Sequence, residues 1–285
     1  MKRSKLQTIF EQTILCVIFL FILFPIVWVF LMAFKSRGDI LSWPPTFLFE
    51  PTFDNFRNIL VGGSSGSATG ATTVDFLGYF ANSLIISCGA ILLSILVGVP
   101  AAYAIARFQF RGKEDIAFTF LSFRFAPELL VIIPIYIIFQ RMGLLDTYFG
   151  LIWVYQLITL PMIIWILRGY FEDVSVELEE ACRIDGYGEF YVFRKIVLPL
   201  VKGGIAASAL LAFIFAWNNF IFAMVLGGSD VQPITVGAMQ FMTAEALRYG
   251  DMAAAIVLAA IPALLLAIYS QKHLIRGLSF GAVKG

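Results

Sequence analysis

The chain has 285 residues, of which 60% are apolar and 14% are charged, whereas soluble domains carry about 25% charged residues. Together with a mean hydropathy of +0.89, this composition predicts an integral membrane protein and excludes an ordinary soluble enzyme. The formal net charge of +1 gives no sign of a polyanion-binding surface, so nucleic acid is not an expected partner.

Six apolar stretches are long enough to cross a bilayer as helices, because a span needs about 20 such residues. They are too long and too uniformly apolar for the strands of an outer-membrane barrel. The expected fold is all-α, a polytopic membrane protein with six transmembrane helices. The stretches cover roughly Thr13–Phe34, Ser83–Ala106, Ile116–Gln140, Tyr148–Leu167, Gly204–Leu226 and Met252–Tyr269.

The first stretch is longer than the apolar core of a secretory signal, about 7–15 residues, and lacks a small-residue cleavage site, so a retained span is expected. Most Lys and Arg residues lie in the segments on the side of the two termini, which predicts that both termini are cytoplasmic. We therefore interpret residues 1–12 as a cytoplasmic N-terminus and residues 13–285 as a single transmembrane domain with a cytoplasmic tail at about 271–285.

The segment between the first two stretches, Lys35–Tyr79, is expected outside the cell and contains a Gly- and Ser-rich run at 62–70. Gly62 to Gly66 fits the Gly-x-Ser-x-Gly pattern of a hydrolase nucleophile, which needs a strand before it and a helix after it. A histidine base is also needed, and the only histidine, His273, is expected on the opposite side of the membrane. A serine hydrolase is therefore not expected.

Two charged residues, Arg124 and Glu128, fall inside the third stretch, on either side of the expected midplane, where insertion of each is costly. They are four residues apart and share one face of a continuous helix, so they partly neutralise each other. Either they form a structural ion pair, or they line a path for a solute. Pro127 and Pro134 interrupt the helix, and such breaks are tolerated where backbone lines a cavity or is buried in protein, which slightly favours the path.

The long polar segment at about 171–202 is expected to be a cytoplasmic loop. Ser175 is expected to cap a short helix with an acidic first turn, and Gly186 to end it. Acidic residues outnumber basic ones in this loop, which favours a protein partner with a basic groove over an anionic membrane surface. A helical hairpin on the membrane surface is the alternative. The acids in or near the first turn are Glu177, Glu179 and Glu180.

A second helical segment is expected after the glycine. Phe190, Phe193 and Val197 are spaced to share one apolar face of that helix. Pro199 is expected to mark the join to the fifth apolar stretch.

Three residues midway through the fifth stretch, Trp217, Asn218 and Asn219, carry groups that suit a sugar. An indole face packs on the apolar face of a sugar ring, and amides bind its hydroxyls. The same residues equally suit hydrogen bonding between neighbouring helices, since Asn commonly joins transmembrane segments. Both interpretations stay open.

The loop also carries a family resemblance. Glu180-Ala181-Cys182, followed after three residues by Gly186 and after nine more by Ile196-Val197-Leu198-Pro199, resembles the EAA signature of ABC importer permeases. Cys182 stands where the family usually has Ala, and both side chains are small and apolar. Other stretches resemble the maltose-type, carbohydrate-uptake branch: Asn82-Ser83-Leu84, Ala101-Ala102-Tyr103-Ala104 before Arg107, Gly143 to Thr147, Trp217-Asn218 and Gly281 to Gly285.

The resemblance implies a complex in the bacterial inner membrane. Its members are this permease, a second homologous permease, two ATPase subunits and an extracytoplasmic solute-binding protein. The resemblance also implies that the loop docks in a cleft of an ATPase, where Glu180 pairs with a basic residue. The implied ATPase-coupling residues are Glu180, Ala181, Cys182, Gly186, Ile196, Leu198 and Pro199.

The function implied is ATP-driven import of a sugar, oligosaccharide or polyol by alternating access. The sequence has no Gly-x-x-x-x-Gly-Lys-Ser/Thr phosphate loop, so we expect no cofactor in this chain and expect ATP and Mg to be bound by the partner ATPases. An ion-coupled secondary transporter is the alternative, with Glu128 as its best support. A membrane enzyme is not expected, because the spans contain no metal-ligand cluster and no pair of nucleophile and base.

Overall fold

A computed structural model describes residues 5–61, 74–123, 125, 127–241 and 248–279. All regular secondary structure within these ranges is helical, which confirms the all-α prediction. The Gly- and Ser-rich run at 62–70, Arg124 and the terminal residues 281–285 lie outside the described residues. The first helices are α1 Lys5–Met32, α2 Arg37–Leu41, α3 Asp54–Val61, α4 Phe76–Arg107, α5 Lys113–Phe123, α6 Glu128–Met142, α7 Tyr148–Val154 and α8 Gln156–Glu172.

The second half of the chain contains two departures from the α-helix. A π-helical segment at Val192–Val197 and a 3₁₀ turn at Ala238–Phe241 continue neighbouring helices. The α-helices of this half are α9 Val176–Ile184, α10 Glu189–Tyr191, α11 Leu198–Trp217, α12 Ile221–Leu226, α13 Ile234–Gly237 and α14 Tyr249–Ser279. The predicted tail from residue 271 is therefore helical as far as Ser279.

Candidate membrane spans account for most of the helical length. Two bent pairs, α5 with α6 and α7 with α8, reach spanning length only together, with bends of 93° and 43°. The described residues thus hold four candidate spans, or six if each bent pair is one span, which confirms a polytopic membrane protein. The four single helices are Phe10–Met32, Phe76–Arg107, Glu189–Trp217 and Tyr249–Tyr269.

The third stretch is divided between α5 and α6, in agreement with the interruption predicted at Pro127, and the two helices together have the length of one span. Helix α6 begins directly after Pro127, which is its N-cap residue. Proline has no N–H to donate and disfavours helical backbone in the residue before it, so the helix ends before this position. Pro134, in contrast, lies inside α6 without ending it.

The fifth stretch is also divided, because two asparagine side chains compete for backbone groups. Asn218 Nδ2 donates to the oxygen of Ile214 at 2.8 Å, at the end of α11. Asn219 Oδ1 accepts from the N–H of Phe222 at 3.2 Å, in the first turn of α12. The predicted single stretch over Gly204–Leu226 is therefore replaced by two helices with a break at 218–220.

The chain forms two compact units. The first comprises residues 1–77 and 237–261, and the second residues 78–236 and 262–285. In the first unit the most apolar part of the span Phe10–Met32 has no buried residue, an exposure that suits contact with lipid. Asn55 of α3 donates from Nδ2 to the oxygens of Ala33 and Lys35, both at 2.9 Å, and so ties α3 to the end of α1.

The second unit has two apolar clusters. One joins α4, α8 and α11 through buried residues such as Ala102, Leu167 and Val201, and it extends to the π-helical segment. The other joins α4, α6, α7, α8 and α12, and includes Tyr155 and Phe222.

Candidate functional site

Residues 171–202, here called the polar loop, form two helical arms joined by a tight turn. Helix α9 starts after Ser175 as predicted, although the Ser175 side chain makes no capping hydrogen bond. Glu177 and Glu179 lie in its first turn, where the helix dipole favours acids. The first arm therefore follows the sequence prediction apart from the side-chain cap.

The turn between the arms depends on Gly186, whose φ is +87°. The N–H of Gly186 donates to the oxygen of Arg183 at 3.0 Å, and that of Tyr187 donates to the oxygen of Cys182 at 3.1 Å. These two bonds form a Schellman motif, in which the left-handed position is usually glycine. The prediction that Gly186 ends the helix is confirmed by this geometry.

The second arm differs from the prediction of an α-helix with Phe190, Phe193 and Val197 on one apolar face. Phe190 is 71% exposed, while Val192 and Val197 are fully buried. In a π-helix each hydrogen bond joins residues that are five positions apart. Val192 and Val197 are five positions apart and therefore lie on the same face, which they would not do in an α-helix. The predicted face was wrong for this reason.

Pro199 lies at the join between the second arm and the long helix α11, as was predicted. It lies near the start of α11, and the candidate span Glu189–Trp217 runs through it. Pro199 has no N–H to donate, and it follows closely after the π-helical segment, which ends at Val197.

The residues of the EAA-like pattern divide by exposure. Glu180, Ala181 and Gly186 in the first arm are exposed, as is Pro199, while Cys182, Ile196 and Leu198 are half-buried. Exposed apolar and aromatic side chains also lie near them, including Ile184 at 86% exposure. The rings of Tyr187 and Tyr191 stack with centroids 4.5 Å apart. An exposed surface that combines apolar, aromatic and acidic groups is typical of a protein-binding site.

Glu179, next to the exposed Glu180, is completely buried. Its carboxylate accepts hydrogen bonds from Arg107 Nε at 2.6 Å and from the Tyr103 hydroxyl at 2.8 Å. Sequence reasoning placed Glu179 only among the first-turn acids and missed this role. The available signal was the spacing of Tyr103 and Arg107, which at four residues apart share a face at the end of α4.

A second polar site lies where two helix breaks meet. Asn219 Nδ2 donates to both carboxylate oxygens of Glu128, at 3.2 and 3.3 Å. The Thr235 hydroxyl donates to the backbone oxygen of Asn219 at 3.0 Å. The start of α6 is thus bound to the residues just before α12. We call Glu128 and Asn219 together the break site.

The structure changes the expected surroundings of Glu128. Arg124, its predicted neighbour, lies outside the described residues. The predicted helix face shared with Arg124 therefore stays a prediction, and Glu128 itself begins α6 directly after Pro127. Among the residues that the structure describes, Asn219 takes the place of an ionic partner.

Trp217 and Asn218 lie at the end of α11 rather than midway through a span, so their predicted position was wrong. The Trp217 ring is 5% exposed. It stacks on Phe213 at 5.3 Å between centroids and meets the edge of Phe80 at 5.7 Å. Asn218, in contrast, is exposed.

A third polar site holds the segment after α12. Asp146 accepts hydrogen bonds from the backbone N–H groups of Gly228 at 2.8 Å, Val231 at 2.9 Å and Asp230 at 3.2 Å. Burial raises the pKa of this carboxyl, but the N–H donors stabilise its charged form, and the net pKa lies below the ordinary value of 3.8. Asn82 adds a bond from Nδ2 to the oxygen of Asp230 at 3.3 Å.

Because the pKa of Asp146 is lowered, we expect its contact with the segment after α12 to persist from neutral pH to below the ordinary carboxyl pKa of 3.8. A lowered pKa stabilises the folded protein at pH values above the pKa of the group in the unfolded chain. This stabilisation is lost as the pH falls through the pKa of the group in the folded protein. Hydrogen exchange at residues 228–231, corrected for intrinsic rates, measures this directly. Asp146→Ala should lose protection at neutral pH, whereas Asp230→Asn, which changes an exposed carboxylate, should not. Equal protection in wild type and Asp146→Ala would contradict the assignment.

The helical spans and the exposed polar loop are the features of a subunit that spans the membrane and binds a partner outside it. The chain belongs to the family described as binding-protein-dependent transport system inner membrane component, which matches residues 91–280. Membership confirms the predicted importer permease class and the inner-membrane location. It also confirms that the chain is a transport subunit rather than an enzyme, and it does not favour the ion-coupled alternative.

Two proteins with similar sequences support this assignment over almost the whole chain. The probable ABC transporter permease protein y4oR of Sinorhizobium fredii is 35% identical over 94% of this chain and 93% of its own length. The diacetylchitobiose uptake system permease protein DasC of Streptomyces coelicolor is 33% identical over 100% of both chains.

A solved structure shares the fold. It is a bacterial ABC transporter involved in the import of the acidic polysaccharide alginate, and one of its chains matches with a TM-score of 0.77. The match covers 95% of this chain and 99% of that chain, with 24% identity. The bent helices and the polar loop therefore belong to a fold that is known in ABC importers.

Proposed function

We propose that this chain is a permease subunit that moves a sugar, oligosaccharide or polyol by alternating access, driven by ATP. The substrate class is supported by the 33% identity to a permease named for diacetylchitobiose uptake. In this proposal a second permease completes the pathway, and an extracytoplasmic binding protein delivers the solute. Two separate ATPase subunits bind ATP and Mg. Both chain termini and the polar loop face the cytoplasm.

The observation that carries the coupling part of the proposal is the exposure of α9. A short helix that is fixed to the permease core by Glu179 still presents Glu180, Ile184 and the turn at Gly186 outward. Charged residues on such a surface contribute to specificity, and apolar ones contribute binding energy. A basic, partly apolar cleft in an ATPase fits this surface.

The break site is the proposed point of solute contact. Glu128 and Asn219 bring a carboxylate and an amide to the place where α6 and α12 begin. Broken helices in membranes are tolerated where they line a cavity or are covered by protein, and transporters commonly bind solutes at such breaks. Carboxylate and amide groups both bind sugar hydroxyls. Asn218, exposed at the same break, offers a further amide; Arg124 and Trp217 remain predicted members of the path.

Glu128→Ala is expected to lower the initial uptake rate by about tenfold to a hundredfold, because a hydrogen bond to a charged group contributes about 1.5–3 kcal/mol. Copurification of the ATPase should not change. The measurement is uptake by the reconstituted complex as a function of solute concentration, with thermal unfolding of the same preparation. A fall in uptake that matches the loss of folded complex would show instead that the Glu128–Asn219 pair is purely structural.

The whole proposal is tested by reconstituting the complex in sealed vesicles and omitting one component at a time. Uptake should require the ATPase subunits, both permeases and a solute-loaded binding protein. The ligands of the binding protein should be sugars or polyols, because that protein sets solute specificity in this proposal. Uptake by this chain alone, or a binding protein that retains only amino acids or ions, would contradict it.

A further inference from the structure

The cytoplasmic end of α4, in the orientation proposed above, reaches into the polar loop with two side chains. Tyr103 and Arg107 lie four residues apart on one helix face and bind the two oxygens of the same carboxylate, that of Glu179. The side chain of Glu179 is 0% exposed and that of Arg107 is 8% exposed. The ion pair is therefore almost completely shielded from water.

The same two residues contact both arms of the polar loop. Arg107 Nη2 donates to the oxygen of Val174 at 2.6 Å, just before α9. The Tyr103 ring lies 5.4 Å from the ring of Phe171, before α9, and 4.7 Å from that of Phe193, in the π-helical segment. The end of α4 therefore touches the polar loop before, within and after its exposed helix.

The burial of the Glu179–Arg107 ion pair determines how strongly α9 and α4 are held together when α9 moves. Separating a shielded ion pair leaves two charges without partners in a region of low dielectric, which is strongly unfavourable. Arg183 lies 3.8 Å from Glu179 Oε2 and also pairs with Glu189 on the same loop; this second pair is exposed, so water can replace each of its partners at little cost. A displacement of α9 is thus transmitted to α4 through Glu179, while the exposed pair can open.

We propose that Glu179, Arg107 and Tyr103 are positioning residues that transmit movement of the exposed helix α9 to the transmembrane helix α4. Glu179 has no exposed surface with which to bind a partner, so it acts through α4 rather than at the ATPase interface. The inference rests on the proposed function, since it assumes that α9 is the surface moved by the ATPase. It assigns different roles to adjacent acids: Glu180 binds the partner and Glu179 transmits the movement.

The test measures solute transported per ATP hydrolysed in the reconstituted complex. This ratio does not depend on how much protein is folded, because both quantities scale with the amount of active complex. Glu179→Gln is expected to lower it by about tenfold or more, since the variant leaves Arg107 buried without a charged partner. Copurification of the ATPase should be retained. Glu177→Gln makes the same change at an exposed position of the first turn and should leave the ratio unchanged.

The double variant Glu179→Gln with Arg107→Gln separates transmission from folding. It removes the unpaired charge, so the thermal unfolding midpoint should recover relative to Glu179→Gln, while the ratio should stay low. Recovery of the ratio together with stability would overturn the proposal, as would a wild-type ratio in Glu179→Gln or loss of ATPase copurification in that variant. A wild-type complex without ATP-dependent uptake would instead refute the proposed function itself.

Discussion

Glu180→Lys is expected to release the permease from its ATPase and to abolish solute-stimulated ATP hydrolysis. Glu180 is exposed on α9, and the proposed partner surface is basic, so the new charge replaces attraction with repulsion. Breaking a desolvated interfacial pair costs about 2–5 kcal/mol, which lowers partner affinity by more than about tenfold. Copurification of the two proteins and ATP hydrolysis by the reconstituted complex are the measurements.

A matched control for this change is Glu177→Lys, which reverses an exposed charge in the first turn of the same helix. Its position lies outside the EAA-like pattern, so it should retain most of the copurification. Equal loss of ATPase copurification in both variants would mean that binding depends on the total negative charge of α9 rather than on Glu180 in particular. Full copurification and stimulation in Glu180→Lys would refute the role of Glu180 and favour a loop that lies on the membrane surface.

Gly186→Val is expected to uncouple the complex for a different reason. A Cβ built at Gly186 would meet no atom within 4 Å, so steric collision with neighbouring residues does not oppose the substitution. The obstacle is the φ of +87°, which a β-branched residue adopts only with strain. The turn would change, and the second arm of the polar loop would point away from its binding position although every charge remains.

Two variants isolate the backbone effect. Gly188 has a φ of −73° and also has no atom within 4 Å of a built Cβ, so Gly188→Val should preserve coupling. Gly186→Asn should retain much of it, because Asn tolerates the left-handed region better than other residues. The measurement is solute-stimulated ATP hydrolysis by complexes that carry Gly186→Val, Gly188→Val or Gly186→Asn. Wild-type stimulation in Gly186→Val would show that the turn can rearrange without consequence.

The parts of the fold that depend on local chemistry were predictable. Run lengths of apolar residues located the membrane helices, because spanning a bilayer requires about 20 of them. Gly186 was recognised as a helix end because its backbone requirement is a property of one residue. The first turn of α9 likewise follows from its acids and the helix dipole.

The roles of adjacent acids could not be predicted, because they depend on tertiary contacts. Glu179 and Glu180 are identical in sequence terms, and only the approach of Arg107 and Tyr103 from α4 buries the first of them. In the second arm of the loop, the π-helical segment changed the buried face from that of an α-helix. A register change of this kind is set by packing against neighbouring helices rather than by the local pattern.

The helix breaks were only partly predictable. Pro127 and Pro134 both qualified as interruptions, yet α6 starts after the first and passes through the second. Asn219 offered equal support for a solute contact and for a bond between helices, and its bond to Glu128 joins residues 91 positions apart in the chain. Sequence spacing carries no information about such a distant pair.

In the proposed mechanism, ATP hydrolysis by partner subunits drives this permease. Uptake of the radiolabelled solute into sealed vesicles containing the complete complex tests it most directly, with ATP and ion gradients varied independently. We expect uptake to require ATP on the side of the polar loop and loaded binding protein on the other side, and to persist after every ion gradient is collapsed. Uptake that continues without ATP and stops when an ion gradient is collapsed would contradict it.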